Sequence, residues 1–253
     1  MYNLVNLLNK NILVTGASSG LGRDVSVLLS MLGARVQIVA RNEQRLKETI
    51  SKMEGDNNHL YCCDLANVAS IEEMVKKVVG DNGKLDGIVH CAGIGTMKPL
   101  SSTKYDFMLD MMNTNLFSFI ELVRVATKKS NFNERGSIIA VSSAASIRGD
   151  KAKVAYCTSK GALDSAMQAM AAELGYHKKI RVNTVNPAWI KTEMYYDYVD
   201  AVGEQVIKEI EERQFMGASE PREISNVIAF LLSDAASQIT GQSIIVDGGR
   251  TIW

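Results

Sequence analysis

The sequence predicts a doubly wound α/β fold, a parallel sheet of seven strands with helices on both faces. Short β-branched runs alternate with longer segments of helical spacing, the signature of repeated βαβ units joined by right-handed crossovers. The runs are continuously apolar rather than alternating, as expected of strands buried on both faces. The chain has 253 residues, enough to bury a large core without disulfide or metal staples, and a single domain spanning residues 1–253 is expected.

In chain order, the strand-like runs are Ile12 to Val14, Val36 to Val39, Leu60 to Cys62, Gly87 to Val89, Ser137 to Val141, Ile180 to Val182 and Ser243 to Val246. Between them, helical spacing covers Leu21 to Leu32, Asn42 to Met53 with Asn42 as its cap, Val68 to Val79, Thr103 to Lys129 and Val154 to Tyr176. The stretch from Tyr195 to Gly217 is helix-like but interrupts the rhythm. It is the candidate lid, bounded at about 189–217.

Composition narrows the class of function. Apolar residues make up 46 % and charged residues 22 %, as in an ordinary globular protein, so disorder is not expected. The 28 basic and 28 acidic residues cancel, which argues against a nucleic-acid partner. No apolar stretch is long enough to cross a membrane, and the segment from Met1 to Asn11 lacks the features of a signal peptide. The four cysteines, Cys62, Cys63, Cys91 and Cys157, form no CxxC pair. They read as reduced thiols of a cytoplasmic protein, with Cys62 and Cys63 on opposite faces of a strand. His59, His90 and His177 lack metal-ligand spacing, and no metal is expected.

The first strand runs directly into Thr15-Gly16-Ala17-Ser18-Ser19-Gly20-Leu21-Gly22. Small residues let the backbone turn tightly against a pyrophosphate, and the following helix offers free N–H groups and a positive dipole end. Between the first strand and helix of such a chain, this turn points to the dinucleotide-binding Rossmann arrangement. Sites for NAD place an acid at the end of the second strand. Here that position reads Val39-Ala40-Arg41-Asn42. Arg41 can form a charge-assisted fork with a 2′-phosphate, so NADP(H) is favoured over NAD; the competing reading is a solvated arginine at a helix start.

Tyr156 and Lys160 are four residues apart, on one face of the long helix. That pair alone carries little weight. Ser143 follows the strand ending at Val141, where open sheets bind ligands, and Asn115 lies in the preceding helix. Ser142 and Asn113 are the neighbouring competitors.

With these motifs together, the chain resembles the short-chain dehydrogenase/reductase family, in its single-domain subgroup of about 250 residues, and within it the 3-oxoacyl-carrier-protein reductases. The resemblance runs from Asn11 to Gly249. It rests on Thr15-Gly16-x-x-x-Gly20-x-Gly22, Asp64-Leu65, Cys91-Ala92-Gly93, Asn115, Ser143, Tyr156-x-x-x-Lys160, Asn183-x-x-x-Pro187 with Thr192, and Thr240-Gly241 with Asp247-Gly248-Gly249. It implies an NADP(H)-dependent oxidoreductase interconverting a ketone and a secondary alcohol. Tyr156 would be the general acid/base, Lys160 would lower its pKa and hold the nicotinamide ribose, Ser143 would bind the substrate oxygen, and Asn115 would hold a water linking Lys160 to solvent. Gly16, Ser18, Ser19, Gly20, Leu21, Gly22, Arg41, Asp64, Leu65, Ala92, Gly93, Pro187, Ile190 and Thr192 would line the cofactor, with Asp64 at the adenine. The sequence departs from the family pattern at His90-Cys91 and at Pro187-Ala188.

The substrate pocket is less defined. Trp189, Met194, Tyr195, Tyr196 and Tyr198 suit an apolar or ring-bearing carbonyl substrate, or serve only to seal the lid, and Arg148 is the candidate partner for an anion. The competing functions are an NAD-dependent alcohol, sugar or steroid dehydrogenase and, in another class, a dinucleotide sensor without catalysis. Family resemblance also implies a homotetramer or homodimer, with the face around Ala162, Ala166, Ala169, Met170 and Ala171 suited to close helix packing.

Overall fold

The computed structural model describes residues 5–252, with the side chains at 201, 202, 204, 206, 210 and 211 left aside. The expectation for the N-terminal segment therefore falls partly outside the described residues. Seven strands form one parallel sheet: β1 (Asn11–Thr15), β2 (Arg35–Ala40), β3 (His59–Cys62), β4 (Leu85–His90), β5 (Phe132–Val141), β6 (Arg181–Pro187) and β7 (Ser243–Val246). Their order is β3-β2-β1-β4-β5-β6-β7. The chain winds outward from β1 in one direction and from β4 in the other, so the crevice above the β1/β4 boundary is the topological switch point.

The core has two halves, one on each face of the sheet. Helices α1 (Gly20–Met31), α2 (Glu43–Ile50) and α9 (Pro221–Leu232) cover one face with Val25, Leu29, Leu46, Ile224 and Ile228. Helices α3 (Ile71–Asn82), α5 (Ser118–Ala126) and α6 (Val154–Lys178) cover the other with Val75, Phe119, Leu122, Leu163 and Met167. Strand residues supply both sides: Leu13 and Ile88 face one half, Val14 and Val89 the other. Asn42 caps α2 by accepting from the Arg45 N–H at 3.0 Å, and α9 opens with a reciprocal capping box between Glu220 and Glu223 and Pro221 at its first turn.

The structure corrects several expected element bounds. The segment expected as one helix from Thr103 to Lys129 is α4 (Tyr105–Met112), a single π-turn at Asn113–Phe117 and then α5. Val68–Ser70 forms a 3₁₀ turn, and α3 starts only at Ile71. β5 begins five residues early, because Phe132 pairs with Leu85 before a register irregularity. The candidate lid is two helices, α7 (Glu193–Val202) and α8 (Glu204–Arg213), separated at Gly203, whose φ of 85° ends the first. Cys62 is exposed and Cys63 buried, as opposite strand faces require, and all four cysteines are free.

Candidate active site

The C-terminal ends of the strands open into a chamber of about 1180 Å³, large enough for a dinucleotide and a small substrate. At its floor, β1 turns into α1 through Gly16 and Gly20, both in the left-handed region with φ of 67° and 49°. A Cβ on Gly16 would lie 2.7 Å from the Ala92 nitrogen, and one on Gly22 would collide with the Gly16 carbonyl. The turn is thus pressed against β4 and its own backbone by residues that have no side chain. Ser19, the N-cap of α1, makes no side-chain cap bond, which leaves the first-turn N–H groups available to an anion.

Every expected cofactor residue lines this chamber. Arg41 is exposed at the end of β2, with Asn42 and Arg45 beside it on the same wall, and no carboxylate follows the strand there. Asp64 accepts from the Ala66 N–H at 3.1 Å, while Leu65 is buried below it. Ala92 and Gly93 come from the end of β4, and Pro187, Ile190 and Thr192 follow β6. The donor set fits a phosphate-bearing dinucleotide. N–H groups without a side-chain cap open the first turn of α1, and Arg41 lines the same chamber at the end of β2.

The expected catalytic residues converge deeper in the chamber. Ser143 caps a 3₁₀ turn by accepting from the Ala145 N–H at 3.1 Å, and its hydroxyl hydrogen-bonds to Tyr156. Ser142 turns away, donating to the Lys160 carbonyl at 3.3 Å; Ser143 is the serine facing the tyrosine. Its loop hangs on Asn186, whose amide donates to Asp164 at 2.7 Å and to Ser146 at 2.9 Å. Lys160 donates to the Val141 carbonyl at 2.9 Å and stands 5.9 Å from the centre of the Tyr156 ring.

Ionisation of this pair is set first by burial. Desolvation pushes the Tyr156 phenol above its usual range, and the Ser143 hydrogen bond only partly offsets it. Burial drives the Lys160 ammonium down to about 8 against the pull of Asp164 and Cys91. The expectation that Lys160 lowers the phenol pKa is not met within the chain itself, because the ammonium faces the ring and the Val141 carbonyl. Cys91, where the family pattern has asparagine, is pushed by burial up to about 12, which makes it an unreactive thiol.

Asn115 is buried just behind the chamber wall, within the π-turn. Its carbonyl oxygen accepts from the Ile94 N–H at 2.8 Å, and its amide donates to the Ile94 carbonyl at 3.0 Å and to Ser159 at 3.0 Å. The side chain therefore pins the loop after β4 and the Tyr156–Lys160 turn together.

Arg148, the sequence candidate for an anion, does not line the chamber; its guanidinium donates to the Arg250 carbonyl. Asp150, Lys153 and Arg250 line it instead, with Trp189, Tyr195 and Tyr198. Lys153 was detectable in principle, since it immediately precedes the helix that carries Tyr156. Arg250 was not, because only the folded C-terminal turn brings it there.

The family model described as enoyl-(acyl carrier protein) reductase matches residues 16–251. The chain belongs to the short-chain dehydrogenase/reductase family. It is 36 % identical over 245 residues to a tropinone reductase homologue of Arabidopsis thaliana, covering 95 % of this chain and 89 % of that one. It is 35 % identical over 248 residues to a 3-oxoacyl-[acyl-carrier-protein] reductase of Rickettsia felis, covering 97 % and 98 %. An actinorhodin polyketide ketoreductase solved with NADPH superposes with a TM-score of 0.89 at 27 % identity, covering all of both chains. The short-chain dehydrogenase/reductase reading makes this chain an oxidoreductase with a Rossmann-type sheet. Among the described residues, no helix is long and apolar enough to cross a membrane.

Proposed function

We propose that this short-chain dehydrogenase/reductase is an NADP(H)-dependent enzyme that reduces a ketone to a secondary alcohol through Ser143, Tyr156 and Lys160. The observation that carries the proposal is the meeting of these three side chains, Ser143 and Lys160 buried and Tyr156 half-buried, in the chamber that Arg41 also lines at the end of β2. Bound NADPH supplies the hydride. Ser143 donates a hydrogen bond to the substrate oxygen and stabilises the charge that develops there. Tyr156 gives its proton to that oxygen, and burial favours this direction by keeping the phenol protonated at neutral pH. Lys160 would hold the nicotinamide ribose hydroxyls and return a proton to Tyr156, with Asn115 fixing the loop and helix turn beside it. Helices α7 and α8 close over the substrate as a lid at 189–217.

The names of the relatives support a ketone, with a 3-oxoacyl thioester among the candidate classes. The same reading makes the chain one domain, acting in the cytoplasm on a small molecule as a homotetramer or homodimer. Leu109, Phe117 and Ile120, exposed on α4, the π-turn and α5, offer apolar surface for association.

Replacing Tyr156 by Phe tests the mechanism. Turnover should fall about 10²- to 10⁴-fold, with the NADPH dissociation constant nearly unchanged. Full activity in that variant would sink the mechanism. A wild-type protein that binds NADPH tightly but reduces no ketone in a broad panel would favour the sensor reading.

A further inference from the structure

Beyond Tyr156, one corner of the chamber carries charge that ketone reduction does not require. Lys153 precedes the first turn of α6, and Arg250 comes from the 3₁₀ turn Arg250–Ile252 after β7. Asp247 places that turn, its carbonyl accepting from the Arg250 N–H at 3.1 Å and its carboxylate from the Thr251 N–H at 2.7 Å. The two cations meet at Trp189: the Lys153 ammonium is 4.6 Å from the ring centre and the Arg250 guanidinium carbon 5.9 Å. Tyr198 stacks on the same indole at 4.9 Å.

Both cations turn to a single carboxylate. Arg250 donates to the two oxygens of Asp150 at 3.1 and 3.3 Å, and Lys153 lies 3.5 Å from one of them. Arg250 is 7 % exposed and the Lys153 side chain 13 %. Among the described residues the two cations share the one carboxylate of Asp150, while that of Asp247 is taken up by the Gly249 and Thr251 N–H groups, which leaves positive charge in excess in a low-dielectric corner, and the N-terminal end of α6, a 25-residue helix, adds to it. Burial and the Arg250 charge accordingly push the Lys153 ammonium down. Of the other charges at this end, Asp197 is exposed on α7, where water screens it, and Lys160 is occupied by Val141.

We infer that this corner is an anion subsite and that the ketone reduced here carries a carboxylate a few bonds from its carbonyl carbon, an inference that rests on the reductase reading. Lys153 is the N-cap residue of α6, three positions before Tyr156, and both line the chamber. A carbonyl held at Tyr156 therefore sends a substituent of two to four bonds toward Lys153 and Arg250, with the Trp189 face alongside the intervening carbons.

The experiment compares 4-oxopentanoate with its methyl ester, and 3-oxobutanoate with its methyl ester, as NADPH-dependent substrates. The acids should be preferred at least tenfold in kcat/KM, and Lys153→Met and Arg250→Gln should each lower the acid-to-ester ratio about tenfold. The ratio separates lost anion recognition from lost folding, which would depress both substrates together. Quenching of Trp189 fluorescence by 4-hydroxypentanoate, weakened in Lys153→Met, provides a readout without turnover. Esters reduced as well as their acids, or a ratio unmoved in Lys153→Met, would overturn the inference while leaving the reductase intact. Failure to reduce these compounds or any neutral ketone would overturn the reductase reading, and this inference with it.

Discussion

Replacing Lys160 by Met should make the cofactor-free protein more stable and inactive. The side chain is 5 % exposed, and burial holds its ammonium at about 8 against an ordinary value of 10.5. That depression corresponds to roughly 3 kcal/mol of cost in folding the protonated form. Loss of the bond to the Val141 carbonyl returns about 1 kcal/mol, so the variant should gain about 2 kcal/mol at pH 7. For a chain of this size that is roughly 4–8 °C in Tm. The sign with pH follows from proton counts. Between pH 8 and 10.5 the unfolded wild type binds more protons at this site than the folded form, so wild-type stability rises with pH across that window. Below pH 8 the cost is present in full. Urea titrations of wild type and variant from pH 7 to 10.5 should therefore show a gap that shrinks as pH rises, the contributions of other groups cancelling in the difference. A variant no more stable than wild type at pH 7, or a gap constant with pH, would refute the reasoning.

Buried His90, held at about 3 by desolvation, carries a consequence of the same sign in a more acidic window. The folded form stays neutral while the unfolded chain takes up a proton below pH 6.5, so stability should be lost as pH falls from 6.5 toward 3, by about 2–3 kcal/mol at pH 4.5; His90→Gln should flatten that slope in acid denaturation curves. Arg41→Ala should weaken NADPH binding about tenfold or more with little change for NADH, measured by fluorescence titration; equal affinities in both proteins would remove Arg41 from the ribose-phosphate role. Gly22→Ala forces a Cβ onto the Gly16 carbonyl, and should abolish dinucleotide binding in the same titration while the far-UV circular dichroism persists.

The central strands were legible because each carries a buried apolar run with a turn signal at its end, and a sheet buried on both faces leaves no other reading of Ile12-Leu13-Val14 or Ile138-Ile139. The glycine turn and the Tyr156–Lys160 spacing were legible for a similar reason, since local backbone geometry fixes both. The break at Asn113–Phe117 was not. Leu109, Leu116, Phe119 and Leu122 keep helical spacing across it, and only the pairing of Asn115 with the Ile94 backbone, 21 residues away, explains the extra residue in the turn. Arg148 failed as the anion candidate because loop direction is not encoded by neighbours, while Arg250 reaches the chamber through a contact with Asp150 across 100 positions of sequence. Burial, which reverses the expected shift at Tyr156, is likewise a property of the closed chamber rather than of the motif.

The two feet of the α7–α8 segment stand side by side. Gln214 accepts from the Trp189 N–H at 3.0 Å and donates to the Trp189 carbonyl at 3.3 Å, and Ser219 bonds the same stretch through its own backbone. A chain segment whose ends are already joined costs little extra entropy to shorten, lengthen or exchange. The stretch from Glu193 to Arg213, beyond the cofactor-lining Ile190 and Thr192, is therefore a replaceable cassette. A lineage, or an engineer, can rewrite the roof of the chamber without disturbing β5 and α6, which aim Ser143 and Tyr156, so substrate range and chemistry are free to change at different rates.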